Sequence, residues 1–286
     1  TALIIAGSKS YSGAAVLAAN ASFATGAGMV TVAVPDSIKM IVASKTSDEI
    51  IVRTLEETDV SSEKVDVVAV GCGLSNDAET RKFIRETVEN RQTPMVLDAE
   101  ALNALSPFDL KGSDKLPLIL TPHIGEMKRL LGSDEEITDR VKTAREFSQK
   151  QNVILVLKGE KSLIAAPDGN VYINPTGNAG VSRAGAGDTL TGIITGFLAQ
   201  TFAIKEKYDA EDKESNMEKA LMAVISALYA AGLAGDIAAV KFGQRFMTAT
   251  NIKDCLVEAV VKIDGRENIS LGVTQLNVRP TIYEAI

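Results

Sequence analysis

The feature that most constrains the fold is the alternation of short apolar runs with longer segments of helical periodicity. Runs rich in Val, Ile and Leu predict strands at 3–6, 29–34, 65–70, 94–97, 117–120, 153–157, 163–166 and 171–173. Periodicity predicts helices at 14–25, 80–90, 99–105, 125–131, 137–149, 189–198, 217–241 and 252–262. Continuous apolar strands separated by helices are typical of a parallel sheet that is covered on both faces. We therefore predict an α/β fold.

The pattern changes past the middle of the chain. Pro167-Asp168-Gly169-Asn170 lies between the last two predicted strands and is a strong hairpin turn, so we expect an antiparallel edge to the sheet. Beyond Asp188 the chain is predicted to be almost entirely helical, and the charged stretch 203–216 is predicted to be an exposed loop. Neither an internal repeat nor a linker is evident, so we expect one domain over 1–286.

Charge and cysteine content exclude several classes of protein. A net charge of −7 and a pI of ≈ 5.0 argue against nucleic acid or an anionic membrane as a partner. We expect no apolar run of membrane-spanning length. Cys72 and Cys255 give neither a disulfide framework nor a zinc spacing, which fits a cytoplasmic protein. The chain opens in a predicted strand and not in a signal peptide, and we expect a short leader to be missing.

A loop of small residues leads directly into a predicted helix near residue 188. Gly185-Ala186-Gly187-Asp188 precedes the apolar periodicity of that helix. Small residues allow a ligand to approach the backbone closely, and the first N–H groups of a helix favour an anion such as phosphate. Asp188 is therefore either an N-cap or a base beside a reacting phosphate.

Polar or glycine-rich loops follow several of the predicted strands. These loops are 7–14, 71–75, 98–103, 121–126 and 158–162. Ligands of open parallel sheets bind outside the carboxyl ends of the strands, so this repetition indicates a site at that edge.

Single residues in these loops allow two interpretations. His123, the one histidine, either caps a helix or contacts a ligand, and by itself it is no metal site. Lys158 is an exposed charge or a nucleotide contact. Asp98 is interpreted as a helix cap and Cys72 as a small buried filler, whereas Tyr11 either packs in its loop or stacks on a ligand.

The chain resembles the ribokinase-like superfamily and, within it, the ADP/ATP-dependent NAD(P)H-hydrate dehydratase family. The similarity runs in order through 7–15, 25–31, 70–74, 96–103, 120–127, 157–159 and 178–194. Gly-Ala-Gly-Asp indicates only the superfamily. Thr121-Pro122-His123-Ile124-Gly125-Glu126 and Leu97-Asp98-Ala99-Glu100-Ala101-Leu102-Asn103 are typical of the dehydratases. The resemblance implies a three-layer α/β/α fold with a mostly parallel sheet.

The resemblance also implies an activity: repair of hydrated NADH or NADPH (NAD(P)HX), by phosphorylation of the hydrate hydroxyl and elimination of phosphate. It implies Asp188 as the base. The N–H groups of Gly185, Ala186 and Gly187 would form an anion hole. ADP, more than ATP, would be the phosphoryl donor, with Mg²⁺ held largely by phosphate and water and with no dedicated protein metal site.

The same resemblance implies the binding residues. The nucleotide contacts would be Lys158, Gly159, Glu160, Lys161, Ser162 and Gly187. The contacts to NAD(P)HX would be Ala14 or Ala15, Gly73, His123 and Asp188. A homotetramer and an NAD(P)HX epimerase partner are also implied.

Some residues depart from the family pattern. Arg183, Ala184 and Thr189 stand where Ser or Thr, Gly and Val are usual, and Cys72 and Ala231 replace a usual Pro and a common His. The Gly-Ala-Gly-Asp-Thr that results leans toward the sugar-kinase branch. Two other functions therefore remain open: a ribokinase-like kinase for a sugar, thiazole or pyrimidine alcohol, and a non-catalytic nucleotide-binding protein. The preference between NADHX and NADPHX also remains open.

Overall fold

The computed structural model describes residues 1–60, 64–208 and 214–265. Within these residues the central sheet has nine strands in the order β3-β2-β1-β4-β5-β6-β7-β8-β9. The strands are β1 (Ala2–Ile5), β2 (Val30–Val34), β3 (Ile51–Thr54), β4 (Val67–Val70), β5 (Met95–Leu97), β6 (Leu118–Leu120), β7 (Ile154–Leu157), β8 (Leu163–Ala165) and β9 (Val171–Ile173).

Strand pairing confirms the predicted mixed sheet. Strands β1 to β7 pair in parallel, and β8 and β9 add to β7 in antiparallel fashion. Strand β1 lies between β2 and β4, with Ile5 opposite Ala33 on one side and Val70 on the other. The chain runs outward from β1 through β2 to β3 and then crosses back to β4 on the other side of β1. Ligands of open α/β sheets bind at the carboxyl ends of the strands where the strand order reverses in this way.

The helices fill the connections between the strands. Their bounds are α1 (Ser12–Ala24), α2 (Lys39–Ala43), α3 (Ala78–Glu89), α4 (Glu100–Ala104), α5 (Ile124–Leu131), α6 (Arg140–Gln151), α7 (Ala186–Tyr208), α8 (Asn216–Phe242), α9 (Ala249–Asp254) and α10 (Leu256–Asp264).

Two cores, one on each face of the sheet, confirm the three layers. Residues alternate between them along β1, with Ala2 and Ile4 in one core and Leu3 and Ile5 in the other. The first core packs against α1, α7, α8, α9 and α10, and the second against α3, α4, α5 and α6.

Helices α1 and α7 pack with almost no side chain between them. A Cβ at Gly192 would lie 2.2 Å from the Ala18 carbonyl oxygen, and one at Gly196 would lie 2.1 Å from the Thr25 hydroxyl oxygen. Only glycine allows the two backbones to approach this closely. The amino-terminal half of α7, which carries Asp188, is thereby held against the core helix α1.

Some sequence predictions of secondary structure were wrong. Strand β3 and helix α2 were not predicted, and the predicted helix 252–262 is divided into α9 and α10 at Cys255. Helix α7 continues to Tyr208 and α8 begins at Asn216, so the predicted loop 203–216 is helical over 203–208. Residues 209–213 lie outside the described residues, as do 61–63 and 266–286 of the predicted single domain.

Helix α8 corrects the expectation about apolar runs. Within the described residues it is the one helix long and apolar enough to cross a membrane, with a mean hydropathy of 1.7. However, 67% of its apolar window is buried inside the protein. Its small residues, such as Ala220, Ala227 and Ala234, belong to the first core. The apolarity of α8 is therefore explained by core packing.

Candidate active site

The loops predicted to surround a site do meet at the carboxyl edge of the sheet. Two close backbone approaches bring them together. The N–H of Gly7, after β1, donates to the Cys72 carbonyl, after β4, at 2.8 Å. Gly71 has φ +129°, and a Cβ there would lie 1.8 Å from the Asp98 carbonyl oxygen. Glycine at position 71 is required for the β4 and β5 loops to approach this closely.

A carboxylate at the end of β5 links three elements. Asp98 accepts a hydrogen bond from the Lys158 ammonium group on Oδ1 at 2.7 Å and from the Thr191 hydroxyl on Oδ2 at 2.8 Å. Lys158 follows β7, whereas Thr191 lies in α7. We call Asp98, Lys158, Asp188 and Thr191 the inner cluster.

Burial makes the charges of the inner cluster depend on one another. The side chains of Asp98 and Lys158 are only 2% and 19% exposed. Burial opposes the charge of Lys158, but the carboxylates of Asp98 and of Glu126, at 3.8 Å, outweigh it and raise the pKa of the ammonium group. Lys158 therefore stays positively charged at neutral pH.

Asp188 has the properties of a general base. It lies in the first turn of α7, as predicted. Burial and the nearby Asp98 charge raise its pKa to about 6, against the opposing effects of Cys72 and Lys158. A carboxylate with such a pKa is ionised at neutral pH and accepts a proton more readily than an ordinary aspartate.

The amino terminus of α7 presents free donors beside this carboxylate. The N–H of Ala186 was predicted to belong to the anion hole, but it donates to the Arg183 carbonyl at 3.1 Å and is not a free donor. The N–H groups of Gly187 and Asp188 have no hydrogen-bond partner within the described part of the chain. A Cβ at Gly187 would lie 3.6 Å from the Lys158 Nζ and 3.8 Å from Asp98 Oδ2. Free N–H groups and an ammonium group thus border the space at Gly187, an arrangement suited to an anion.

The remaining predicted nucleotide residues form the β7–β8 hairpin loop. Gly159, Glu160 and Lys161 are exposed, and Ser162 is partly so. Arg140 supports the loop by donating to the Glu160 carbonyl at 2.9 Å. The structure thus separates Lys158, which points into the inner cluster, from a solvent-facing loop.

The predicted substrate residues of α1 and β4 lie together. A Cβ at Gly73 would lie 2.6 Å from the Ala14 Cβ and 2.9 Å from the Tyr11 carbonyl oxygen, so the two loops touch there. Ala15 is fully buried, whereas Tyr11 is 63% exposed. Of these residues, Tyr11 presents the largest accessible surface to a ligand.

His123 caps α5. Its Nδ1 accepts from the N–H groups of Gly125 at 2.9 Å and Glu126 at 3.3 Å, and the Glu126 carboxylate accepts from the His123 N–H in return. This capping box confirms the capping interpretation. The Nε2 atom lies 3.5 Å from Glu126 Oε1, and the ring is 56% exposed, so a ligand can reach the ring surface.

Of the residues that depart from the family pattern, Arg183 and Ala184 lie in the loop before α7 and Thr189 lies in the first turns of α7. Arg183 is exposed and donates to the Arg245 carbonyl at 2.6 Å. Ala184 is exposed, whereas Thr189 is 1% exposed and its hydroxyl has no hydrogen-bond partner among the described residues.

Sequence analysis missed part of the inner cluster. The Asp98 carboxylate does not cap α4, whose N-cap is Ala99, so the capping interpretation was wrong. Thr191 and Glu126 were not singled out. The sequence did contain a signal for Thr191, because Asp188, Thr191 and Thr195 share one face of the helix. Cys72 is buried as predicted, and its thiol donates to Asp98 Oδ2 at a sulfur–oxygen distance of 4.0 Å.

The described residues contain no group of three or more His, Cys, Asp or Glu placed to hold a metal ion. The nearby carboxylates of Asp98 and Glu126 are already engaged by Lys158, Thr191 and the His123 backbone. A divalent ion at this edge would therefore need most of its ligands from a nucleotide and water.

Comparison with known proteins identifies the family of the chain. A family model described as NAD(P)H-hydrate dehydratase (Carb_kinase) matches residues 2–258. A bifunctional NAD(P)H-hydrate repair enzyme Nnr of Moorella thermoacetica is 40% identical over 270 residues, covering 89% of this chain and 48% of that protein. The ADP-dependent (S)-NAD(P)H-hydrate dehydratase of Neisseria meningitidis serogroup B is 36% identical, covering 72% of this chain and 71% of that protein.

A solved structure shows the same fold. The ADP/ATP-dependent NAD(P)H-hydrate dehydratase of Bacillus subtilis, co-crystallised with ATP and Mg²⁺ and soaked with CoA, superposes with a TM-score of 0.76 at 27% identity, covering 91% of each chain. The chain spans about half the length of the bifunctional relatives it matches. By its match over residues 2–258 and its likeness to these relatives, the chain belongs to the NAD(P)H-hydrate dehydratase family.

Proposed function

We propose that this chain catalyses the nucleotide-dependent dehydration of NAD(P)HX to NAD(P)H. The observation that carries the proposal is the placement of Asp188, with its raised pKa, at a helix terminus whose free N–H groups lie beside Lys158. Phosphoryl transfer needs a base for the attacking hydroxyl and positive groups around the transferred phosphate. Family membership supports NAD(P)HX as the substrate that carries this hydroxyl.

The first step is phosphoryl transfer. Asp188 takes the proton of the hydrate hydroxyl, whose oxygen then forms a bond to the terminal phosphorus of the nucleotide while the bond to the leaving phosphate oxygen breaks. With ADP the leaving product is AMP. The N–H groups of Gly187 and Asp188 and the Lys158 ammonium group stabilise the charge of the transferred phosphoryl. Gly185 and Ala186 shape the turn that presents these donors.

The second step is elimination. The carbon–oxygen bond to the new phosphate breaks, a proton leaves the neighbouring carbon, and the dihydropyridine ring is restored together with inorganic phosphate. The nucleotide is held by Lys158 and the hairpin loop Gly159, Glu160, Lys161 and Ser162. The NAD(P)HX substrate lies against Ala14 or Ala15, Gly73 and His123.

The donor is ADP in preference to ATP, which the ADP-dependent relative of Neisseria meningitidis supports. Mg²⁺ neutralises charge on the nucleotide phosphates and takes its ligands mainly from them and from water, a role that fits the scarcity of free carboxylates at the site. The Bacillus subtilis structure with ATP and Mg²⁺ supports this assignment.

We also propose a cytoplasmic homotetramer that acts together with an NAD(P)HX epimerase. The bifunctional relatives support a second repair activity. Val257 and Val261, one turn apart on α10 and more than 60% exposed, support contact with a second copy of the chain. Light scattering is expected to give four chains per particle, and a monomer would contradict this part of the proposal.

The deciding experiment incubates the purified protein with NADHX or NADPHX, Mg²⁺ and either ADP or ATP, and follows the near-ultraviolet absorbance of the dihydropyridine ring. We expect a nucleotide-dependent rise, larger with ADP, and one phosphate released per ring restored. If absorbance does not rise while another alcohol is phosphorylated, the protein belongs to the kinase branch and the proposed function is wrong.

A further inference from the structure

We propose that Asp98 is a positioning residue that fixes the first turn of α7 against Lys158, so that base and ammonium group face the same phosphoryl group. The inference rests on the proposed function, because it assigns a role within that reaction. Asp98 itself touches neither nucleotide nor hydrate in this assignment and acts through its two partners.

The two carboxylate oxygens of Asp98 bind different partners. Oδ1 accepts from Lys158 at 2.7 Å and Oδ2 accepts from Thr191 at 2.8 Å. Thr191 lies three residues after Asp188, close to one helical turn, so this second bond fixes the height and rotation of the turn that carries the base. One carboxylate thus sets the distance between the end of β7 and the start of α7.

Burial restricts Asp98 and Thr191 to this pair of hydrogen bonds. Asp98 and Thr191 are each 1% exposed, so neither can exchange its partner for bulk water. A buried charged group that loses a hydrogen-bond partner is strongly destabilised, and the cluster therefore strongly favours one geometry. A cap or a surface ion pair would impose no such restriction.

Asp98 also affects Asp188 electrostatically. The titratable groups that face Asp188 are Asp98 after β5, Lys158 after β7 and Cys72 after β4. Asp98 acts to raise the pKa of Asp188, whereas Cys72 and Lys158 act to lower it. Removing the Asp98 charge should therefore shift the titration of Asp188 to lower pH. Looser packing would also lower this pKa, because burial is the largest cause of its rise, and Thr191→Val, which keeps the Asp98 charge, measures that contribution.

The test separates charge from position with four variants. Asp98→Asn removes the charge and keeps the shape. Thr191→Val removes only the bond to Oδ2, and Thr191→Ser restores it. Thr195→Val is the matched control, because its hydroxyl is equally buried and bonds the Thr191 carbonyl within α7, away from Asp98.

We expect Asp98→Asn to lower the single-turnover rate about 10²-fold, the cost of a misplacement of roughly 1 Å. Its affinity for Mg·ADP should be unchanged or higher, since Lys158 loses a competing carboxylate. Thr191→Val should lose about tenfold in rate, as expected for one hydrogen bond to a charged group. Thr191→Ser and Thr195→Val should stay near the parent.

The acid limb of the rate profile should move to lower pH in Asp98→Asn and much less in Thr191→Val. Carboxyl-carbon NMR, with the signal assigned by Asp188→Asn, measures the same shift without turnover. An unchanged Asp188 titration in Asp98→Asn, or equal rates for Thr191→Val and Thr195→Val, would overturn the inference.

Failure of the proposed function gives a different result. If the parent binds Mg·ADP but restores no ring, the proposed function is wrong, and the NMR titration still decides whether Asp98 acts on Asp188. If the parent turns over but the variants match it in rate and titration, only the role of Asp98 is wrong.

Discussion

The site has two regions that lie at the same sheet edge but are held in different ways. In the inner cluster, side chains bind one another, and Asp98 is contacted from β7 and α7 at once. The outer rim, which we define as His123, Arg183 and the loop 159–162, faces solvent. Its side chains His123 and Arg183 bind backbone groups and not one another.

This difference separates two tasks. A buried cluster of charged partners has one low-energy geometry and can hold a base and a cation to within a fraction of an ångström. In the rim each side chain bonds backbone groups independently of the others, so replacing one side chain removes only its own hydrogen bonds. Substitutions in the cluster should therefore change rates, and substitutions in the rim should change affinities or stability by smaller amounts.

The largest expected effect is on catalysis by the inner cluster. Asp188→Asn should lower turnover by about 10²–10⁴-fold, because the reacting hydroxyl loses its base. Glu89→Gln, which changes a half-exposed acidic residue in the last turn of α3, at the far end of that helix from the loop 71–75, is the control and should leave turnover unchanged. Steady-state rates of ring restoration measure both. Full turnover by Asp188→Asn would contradict the assignment of the base.

The next effect is on stability and has a defined pH dependence. The pKa of Asp188 is about 6 in the folded protein, against 3.8 for an ordinary aspartate. The folded protein therefore binds the proton more tightly, and the ionised carboxylate destabilises it above pH 6. Asp188→Asn should therefore raise the free energy of unfolding by up to about 3 kcal/mol at about pH 8.

The same gain should shrink as the pH falls through 6 toward 3.8, because the parent becomes neutral at this position too. Denaturant unfolding of parent and variant at several pH values measures the difference. A gain that is the same at acid and alkaline pH would show that the charge of Asp188 is not its cause.

A smaller effect is expected at His123 in the rim, where substitution tests both its capping of α5 and its proposed contact with substrate. His123→Ala should cost about 1 kcal/mol of stability through loss of the cap, whereas His123→Asn keeps a capping oxygen and should cost less. Both should raise KM for NAD(P)HX if the ring contacts substrate. Thermal unfolding and substrate titration measure the two effects, and an unchanged KM in both variants would leave His123 with a structural role alone.

The smallest effect is expected at Arg183. Arg183→Ser installs a residue usual in the family and removes an exposed side chain that bonds the Arg245 carbonyl, so stability should change by less than about 0.5 kcal/mol. Affinity for ADP should also remain close to the parent. A tenfold weaker affinity would show that Arg183 turns from Arg245 to the nucleotide, which would place it with the inner cluster.

Periodicity predicted most of the sheet because its strands are buried on both sides. Strand β3 escaped prediction for the opposite reason: it is an edge strand whose Ile51, Val52 and Arg53 are exposed or partly buried, so its pattern is weak. The extent of α7 beyond residue 198 was missed because the charged residues that follow are compatible with either a loop or a solvated helix turn.

The site was predictable in its location more than in its contacts. Asp188 and Lys158 were found because each follows a recognisable local signal, a glycine-rich loop or a buried strand. Asp98 was noticed at a strand end, but its partners are 60 and 93 residues away in sequence, and no local rule links them. Pairings of that kind arise only when the sheet brings distant loops together.

The contact between α1 and α7 bears on which parts of the protein move during turnover. Gly192 lies against the Ala18 carbonyl and Gly196 lies against the Thr25 hydroxyl and the Ser22 carbonyl, so this close packing resists sliding or rotation of α7 against α1. Amide hydrogens along this stretch of α7 should exchange with solvent slowly, and those of the loop 159–162 quickly. Asp188 then stays in place during turnover. The hairpin loop 159–162 and the bound molecules are the parts that move when the nucleotide enters and the products leave.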